Sequence, residues 1–188
     1  MKYNKSFLRN KSLLKRRKKY FKIKKFNFNL IFKLIRKHFQ KKKITIAGYY
    51  PSNYEVNILM FLEKAFKKNF KIVLPVIKPP SSMSFRLWIF KEPLYVNKFG
   101  ILEPNNSNSE IIPDLILVPL VAFDSDLNRI GYGKGYYDRY LKKISKMKKN
   151  AIFLGIAYSF QKCKSIPVNK HDFKLDYIFT ERGIISSK

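Results

Sequence analysis

Cysteine is almost absent from this sequence, because Cys163 is the only one among 188 residues. A single cysteine excludes an internal disulfide and is consistent with a reducing compartment. Long apolar runs are absent too, since none reaches the ~18 residues that a membrane-spanning helix needs. The first residues are too polar to form the apolar segment of a secretory signal. The sequence therefore predicts a cytoplasmic protein that does not enter a membrane.

Acidic residues are missing from the first part of the chain. Residues 1–43 contain 18 lysines or arginines and no acid, and the first acidic residue is Glu55. This segment supplies most of the net charge of +28. One hypothesis is a basic nucleic-acid-binding protein that uses the lysine-rich N-terminal segment. The other is lysine enrichment of solvated faces, which gives only nonspecific affinity for polyanions at low salt. No RNP, KH or helix-turn-helix motif is present, so we expect no specific nucleic-acid partner.

Apolar and aromatic side chains are plentiful, at 46% and 16% of the residues. This composition and the chain length predict one packed domain over residues 1–188, with residues 1–43 as a basic helical N-terminal part. Strand-like apolar runs alternate with helical patterns, which predicts an α/β fold with a mostly parallel sheet and ligands at the carboxyl ends of its strands. The predicted strands cover residues 44–50, 70–75, 83–90, 114–122, 151–157 and 176–180. The predicted helices are two within 2–42, one after residue 53 and one over 136–144.

Local signals add finer expectations. Asn27 or Asn29 can cap the second N-terminal helix, whose apolar stripe is expected to dock on the sheet. Ser52 or Asn53 can cap the next helix, which would place Glu55 in its first turn as an acid that complements the helix dipole. The polar segment 105–113 is the best candidate for a flexible loop.

The segment 119–139, PLVAFDSDLNRIGYGKGYYDR, has the most informative pattern. It follows a buried strand, carries Gly131, Gly133 and Gly135 at alternate positions around Lys134, and leads into a helix. Strand, glycine loop and helix together can hold a phosphate chain, because backbone N–H groups and the helix N-terminus attract anions. The spacing matches neither the dinucleotide fingerprint nor the P-loop, and a glycine loop can also be an ordinary turn.

The longer segment PLVAFDSDLNRIGYGKGYYDRYL resembles the signature of the 5-formyltetrahydrofolate cyclo-ligase family, also called methenyltetrahydrofolate synthetases. The resemblance extends roughly from residue 5 to residue 180. It implies a single three-layer Rossmann-like domain with N-terminal helices. The implied activity is ATP-dependent closure of 5-formyltetrahydrofolate to 5,10-methenyltetrahydrofolate, with ADP and phosphate as the other products. Both substrates are then partners of the protein, which would be a monomer or a weak dimer.

The resemblance also implies roles for particular residues. Lys134 and Arg129 are the expected catalytic pair. The expected ATP-binding residues are Lys5, Arg9, Arg129, Ile130, Gly131, Tyr132, Gly133, Lys134, Gly135, Tyr136 and Tyr137. The expected folate-binding residues are Tyr50, Glu55, Tyr132 and Tyr136, with Met83 and Trp88 near the folate or in the core. Asp138 and Asp172 are expected to bind Mg²⁺. His171 beside Asp172 lacks a nucleophile partner and is interpreted as structural.

Overall fold

The computed structural model describes residues 4–22, 25–40 and 42–187. The parts of the N-terminal helix prediction that fall on residues 2–3, 23–24 and 41 lie outside this range. Four α-helices are present in the described residues: α1 (Lys5–Lys19), α2 (Asn29–Phe39), α3 (Leu59–Lys67) and α4 (Tyr136–Met147). Short 3₁₀ turns follow α1 at Tyr20–Lys22 and occur again at Ser159–Gln161. None of these helices has the length and apolar character needed to span a membrane.

The strands of the described residues begin with the central β1 (Thr45–Ala47) and continue through the following ranges in chain order: β2 (Lys71–Lys78), β3 (Ser82–Leu87), β4 (Tyr95–Val96), β5 (Leu102–Glu103), β6 (Leu115–Pro119), β7 (Ala122–Phe123), β8 (Arg129–Ile130), β9 (Ile152–Ile156), β10 (Tyr177–Thr180) and β11 (Gly183–Ser186). Seven of them form the main sheet, in the order β11-β10-β9-β6-β1-β2-β3. The four inner pairings, from β10 to β2, are parallel, and β3 and β11 join the edges antiparallel. The predicted α/β class and mostly parallel sheet are therefore confirmed.

Helices cover both faces of this sheet because its central strands are apolar on both sides. In β6, Leu115 and Leu117 face the side covered by α2 and α3, and Ile116 and Val118 face the side covered by α4. The apolar stripe of α2 docks on the sheet as expected, whereas α1 places Leu8 and Leu13 against a separate small cluster around the β7–β8 hairpin. Three layers result, with α1 standing at the end of the sheet beside the glycine segment.

The structure corrects the expected helix caps and the expected last strand. Asn29 is the first residue of α2, and Phe28 precedes it without a side-chain cap, although the Asn27 side chain accepts the Asn29 N–H at 3.2 Å. The next helix begins only at Leu59, so neither Ser52 nor Asn53 caps it and Glu55 lies before it. The segment 105–113 runs along the edge of β3, where Leu87 N donates to Ser109 O at 2.9 Å and Arg86 forms an antiparallel bridge with Glu110, and its flexibility stays a prediction. The strand predicted at 176–180 is not the last one, since β11 returns beside it.

Candidate functional site

A cavity of about 660 Å³ opens at the carboxyl ends of the parallel strands. Its volume falls within the ~300–1,000 Å³ that is usual for sites of small molecules and cofactors. Pro119 at the end of β6 and Pro75 in β2 line it, together with Tyr49 and Tyr50, which follow β1. All the residues predicted for the site also line it: Lys5, Arg9, Tyr50, Glu55, Arg129, Ile130, Gly131, Tyr132, Gly133, Lys134, Gly135, Tyr136, Tyr137, Asp138 and Asp172. The fold thus brings together residues that are up to 167 positions apart, and their individual roles stay predictions.

The glycine loop leads from the β7–β8 hairpin to the start of α4. Gly133 and Gly135 have φ values of +97° and +69°, which side chains other than glycine rarely adopt. Arg9 Nε donates to the Gly131 carbonyl at 2.8 Å, and Arg139 Nη2 donates to the Lys134 carbonyl at 2.9 Å. Two loop carbonyls are therefore covered by guanidinium groups, and the positive end of α4 lies directly after the loop. Lys134 itself is exposed at the rim of the cavity.

Arg129 lies beneath this loop and is almost fully buried, with 3% of its side chain exposed. Its Nη2 donates to Asp138 Oδ1 at 2.7 Å, whereas its Nε has no partner among the described residues. Burial lowers the pKa of Arg129, and the charges of Asp138 and Asp172 act in the opposite direction. An unpaired buried donor on a cation, beside a cavity, is a group that an anionic ligand can satisfy.

Two carboxylates stand at the same end of the cavity. Asp172 forms an ion pair with Lys5, and its Oδ2 also accepts the Asn169 N–H at 2.6 Å. Asp138 Oδ1 accepts the N–H of Phe173, the residue after Asp172, at 3.2 Å. Within the ranges that the structure describes, no group of three His, Cys, Asp or Glu side chains could hold a metal. Two carboxylates do suit Mg²⁺, which usually takes one or two of them together with phosphate oxygens and water.

Glu55 defines the opposite part of the cavity. It ends a tight turn rather than starting a helix, because its Oε2 accepts the Ser52 N–H at 2.9 Å. Its Oε1 accepts the hydroxyl of Tyr132 at 2.8 Å, so the glycine loop reaches across to this carboxylate. Burial raises the pKa of Glu55, and the hydrogen bonds from Ser52 and Tyr132 and the charge of Arg16 partly reverse that rise. A buried carboxylate of this kind can accept paired N–H donors from a ligand.

Tyr137 lies between the two parts of the cavity. Its hydroxyl is buried and has no hydrogen-bond partner among the described residues. Burial raises its pKa, the charge of Glu55 raises it further, and that of Arg129 lowers it. The neutral hydroxyl is therefore close to both charged groups and is available to a bound ligand.

Other residues around the cavity did not follow from sequence patterns. Arg16 and Arg139 make contacts with the loop segment, and His171 and Asn169 line the cavity beside Asp172. The spacing of Arg16 from Lys5, eleven positions or about three helical turns, places both on one helix face. This spacing does not distinguish Arg16 in the sequence, because many other lysines and arginines surround it. Of the two residues expected near the folate or in the core, Met83 lines the cavity. Trp88 packs against Phe90 in the core and donates Nε1–H to the Glu92 carbonyl at 3.2 Å.

The fold and this cavity define a class of protein, namely a three-layer α/β protein with a glycine loop beside a cavity at the carboxyl edge of a parallel sheet. A sequence model of the 5-formyltetrahydrofolate cyclo-ligase family matches residues 1–181, and the chain belongs to this family.

Relatives in this family support the assignment. A probable 5-formyltetrahydrofolate cyclo-ligase from Schizosaccharomyces pombe is 34% identical over 145 residues, which are 70% of this chain and 71% of the relative. The 5-formyltetrahydrofolate cyclo-ligase from Haemophilus influenzae is 31% identical over 142 residues, which are 72% and 75% of the two chains. The solved 5,10-methenyltetrahydrofolate synthetase from Aquifex aeolicus superimposes with a TM-score of 0.74 at 31% identity and covers 97% of this chain and 92% of its own.

Proposed function

We propose that this protein catalyses the ATP-dependent cyclisation of 5-formyltetrahydrofolate to 5,10-methenyltetrahydrofolate, with release of ADP and phosphate. One observation carries the proposal: a phosphate-type glycine loop and a buried carboxylate share a single cavity and are joined by the hydrogen bond from Tyr132 to Glu55. Nucleotide and folate would therefore be bound side by side, as transfer of a phosphoryl group between them requires.

The triphosphate would lie along the glycine loop. Backbone N–H groups at Gly131, Gly133 and Gly135 and the start of α4 would contact its oxygens. Arg129, whose buried Nε has no partner in the described part of the chain, would donate to a phosphate from below. Lys134, exposed at the rim, would close over the γ-phosphate from above. Arg9 would act both on the loop and on the nucleotide, because its guanidinium group lies 3.1 Å from the position of a Cβ at Gly133.

The pterin ring would occupy the other part of the cavity. Its ring N–H and exocyclic amino group are donors, and Glu55 is the buried acceptor that suits them. Tyr50 and Tyr136 would line the ring, and Tyr132 would hold the carboxylate in place from the loop. Residues of the glycine loop thus contribute to both binding sites.

The reaction follows from this arrangement. The formyl oxygen attacks the γ-phosphorus, and ADP leaves. N10 then attacks the formyl carbon, the carbon–oxygen bond breaks, and phosphate departs with the former formyl oxygen and takes up the N10 proton. No side chain is assigned as a general base, and the main tasks of the protein are to align three groups and to stabilise negative charge. Lys134 and Arg129 are the residues that would stabilise the charge that develops on the transferred group.

Asp138 and Asp172 would hold Mg²⁺ together with the phosphate oxygens. Each forms its observed ion pair through one oxygen, Oδ1 in Asp138 and Oδ2 in Asp172. The bound ion would supply neutralisation of charge on the phosphates. Lys5 and Arg129, which contact these carboxylates, would fix their orientation.

The test is direct. Purified protein with 5-formyltetrahydrofolate, ATP and Mg²⁺ should form the methenyl product and ADP in equal amounts, and omission of ATP should abolish both. Lys134→Ala should lower turnover by about 10²–10³-fold, the scale for losing one preorganised charge contact. Lys143→Ala, at an exposed position of α4 away from the cavity, is the matched control and should retain full turnover. An inactive wild-type protein would refute the function, and normal turnover of Lys134→Ala would remove Lys134 from its role.

A further inference from the structure

One face of helix α1 carries three cations, of which Lys5 and Arg9 line the cavity and Arg16 is buried beside it. Lys5, Arg9 and Arg16 are separated by four and seven residues, so that they lie within about 40° of one another around the helix axis. They contact three different places: Asp172, the Gly131 carbonyl and the Tyr132 hydroxyl. The first two belong to the proposed ATP site, whereas the third belongs to the folate end.

Arg16 is unusual among the basic residues of this helix because only 1% of it is exposed. The ion pairs of the described residues do not include it, although a buried guanidinium is costly without compensation. Its Nη1 donates to the Leu120 carbonyl at 3.2 Å, and its guanidinium lies 5.6 Å from the centre of the Tyr132 ring. Its charge acts on Glu55, to which it is linked through the Tyr132 hydroxyl.

The hydrogen bonds in this chain have a defined direction. Arginine only donates, so the Tyr132 oxygen accepts from Arg16 Nη2. The Tyr132 proton must then point to Glu55 Oε1, 2.8 Å away. Because Ser52 N donates to the other carboxylate oxygen at 2.9 Å, both oxygens of Glu55 are oriented.

We propose that Arg16 is a positioning residue for the folate site, which acts through the Tyr132 hydroxyl to hold Glu55 in the orientation that accepts the N–H donors of the pterin ring. The inference rests on the proposed function and goes beyond it, since Arg16 would touch neither substrate. It also explains why a cation is buried in a helix whose other basic residues are largely at the surface or the cavity wall.

Arg16 is also the positive group that favours the charged form of Glu55. The groups that face this carboxylate are Arg16 from α1, Tyr132 from the loop, Tyr137 from α4, Tyr49 after β1, Tyr158 after β9 and Ser52 in its own turn. Burial raises the pKa of each of the four tyrosines, so these remain neutral. Loss of Arg16 should therefore raise the pKa of Glu55 further.

The experiment compares Arg16→Met, which keeps the aliphatic packing, with Arg16→Lys, which keeps the charge. Arg16→Met should raise KM for 5-formyltetrahydrofolate by about 10–100-fold, the scale for hydrogen bonds that involve a charged group, and leave KM for ATP within about twofold. The acid limb of kcat/KM for the folate should move to higher pH. In Arg16→Lys, the acid limb of kcat/KM for the folate should stay at the pH of the wild-type protein. Arg17→Met changes an exposed residue of the same helix and should behave like wild type.

If Arg16→Met does not fold, Tyr132→Phe serves as the test, because it removes the hydroxyl and keeps the ring against Arg16. Tyr132→Phe should raise KM for the folate as Arg16→Met does. The double variant Arg16→Lys with Tyr132→Phe should have nearly the same KM as Tyr132→Phe alone. An equal rise in KM for both substrates, or an unmoved acid limb, would overturn the inference while leaving the proposed function intact. Absence of cyclisation by the wild-type protein would instead overturn the function itself.

Discussion

The substitution Gly133→Ala tests whether the shape of the glycine loop matters for the nucleotide. Gly133 has a φ of +97°, and a Cβ built there lies 3.1 Å from the Arg9 Cζ and 3.2 Å from its Nη2. A methyl group is therefore strained by the backbone and crowded by the guanidinium that donates to the Gly131 carbonyl. The loop can relieve the backbone strain and the close contact only by changing its conformation and moving away from Arg9.

The size of the effect follows from the backbone. A side chain held in such a sparsely populated conformation costs about 1–3 kcal/mol. Gly133 is in an exposed loop, so we expect the loop of the free variant to relax and avoid the strain. The strain then appears as a cost of ATP binding, because the bound nucleotide requires the original loop shape. A loss of about 5–150-fold in kcat/KM for ATP corresponds to this free energy. KM for 5-formyltetrahydrofolate should change little, since Glu55 and its turn are untouched.

Gly183→Ala provides the matched control. Its φ is +128°, so the backbone strain is of the same kind, but no atom lies within 4 Å of the added Cβ. Gly183 begins β11 at the edge of the sheet and does not line the cavity. We expect a lower melting temperature for Gly183→Ala with unchanged steady-state kinetics. If both variants show the same kinetics for ATP, the conformation of Gly133 does not determine nucleotide binding.

Three further predictions concern the other parts of the protein. Because burial raises the pKa of Glu55, kcat/KM for the folate should fall as the pH drops through a value above the pKa of an ordinary glutamate. Glu55→Gln should remove this acid limb of the pH profile and lower the maximal kcat/KM. An unchanged pH profile would contradict the role of Glu55. Asp172→Asn should raise the Mg²⁺ concentration for half-maximal rate by at least about tenfold, as even indirect changes around metals do, and an unchanged Mg²⁺ titration would remove Asp172 from the site. The basic N-terminal segment should bind single-stranded RNA weakly, with an affinity that falls steeply and uniformly with salt in fluorescence anisotropy; sequence-dependent binding that persists at moderate salt would instead support a nucleic-acid function.

Much of the fold could be predicted because the buried strands are short apolar runs between clear helical patterns. The central strands β1, β6 and β9 lie within the predicted ranges, and their parallel order follows from the intervening helices. The two-residue strands β4 and β5 could not be found in this way, since a periodicity needs more than two positions. β11 is likewise weakly patterned, because it pairs with β10 at the edge of the sheet and remains partly exposed.

The site could be predicted as a set of residues but not as a geometry. The glycine segment is a long specific pattern, and Asp172 and Lys5 entered only through resemblance to a family. The position of Glu55 was wrong in detail, because the helix signal at Ser52 and Asn53 is equally a tight-turn signal and the Glu55 side chain itself closes that turn. Arg16 could not be singled out, since burial of one cation among many depends on which helix face packs against the loop.

The basic N-terminal segment has two different surfaces in the structure. One face of α1 carries Lys5 and Arg9, which line the cavity, and Arg16, which contacts the cavity-lining Tyr132. The remaining basic residues of the helix, such as Lys11, Arg17 and Lys18, are exposed. The basic residues of this segment therefore form two groups. One group takes part in the proposed substrate site, and the other forms a charged solvent-exposed face.

In the proposed reaction, the cavity brings the γ-phosphate of ATP against the formyl oxygen. An ¹⁸O label placed in the formyl group of 5-formyltetrahydrofolate, followed through one ATP-dependent turnover, tests this contact. We predict that the label appears in the released inorganic phosphate, one labelled oxygen for each methenyl product formed. Unlabelled phosphate, with the ¹⁸O recovered in water, would show that the formyl oxygen is never phosphorylated and would contradict this account.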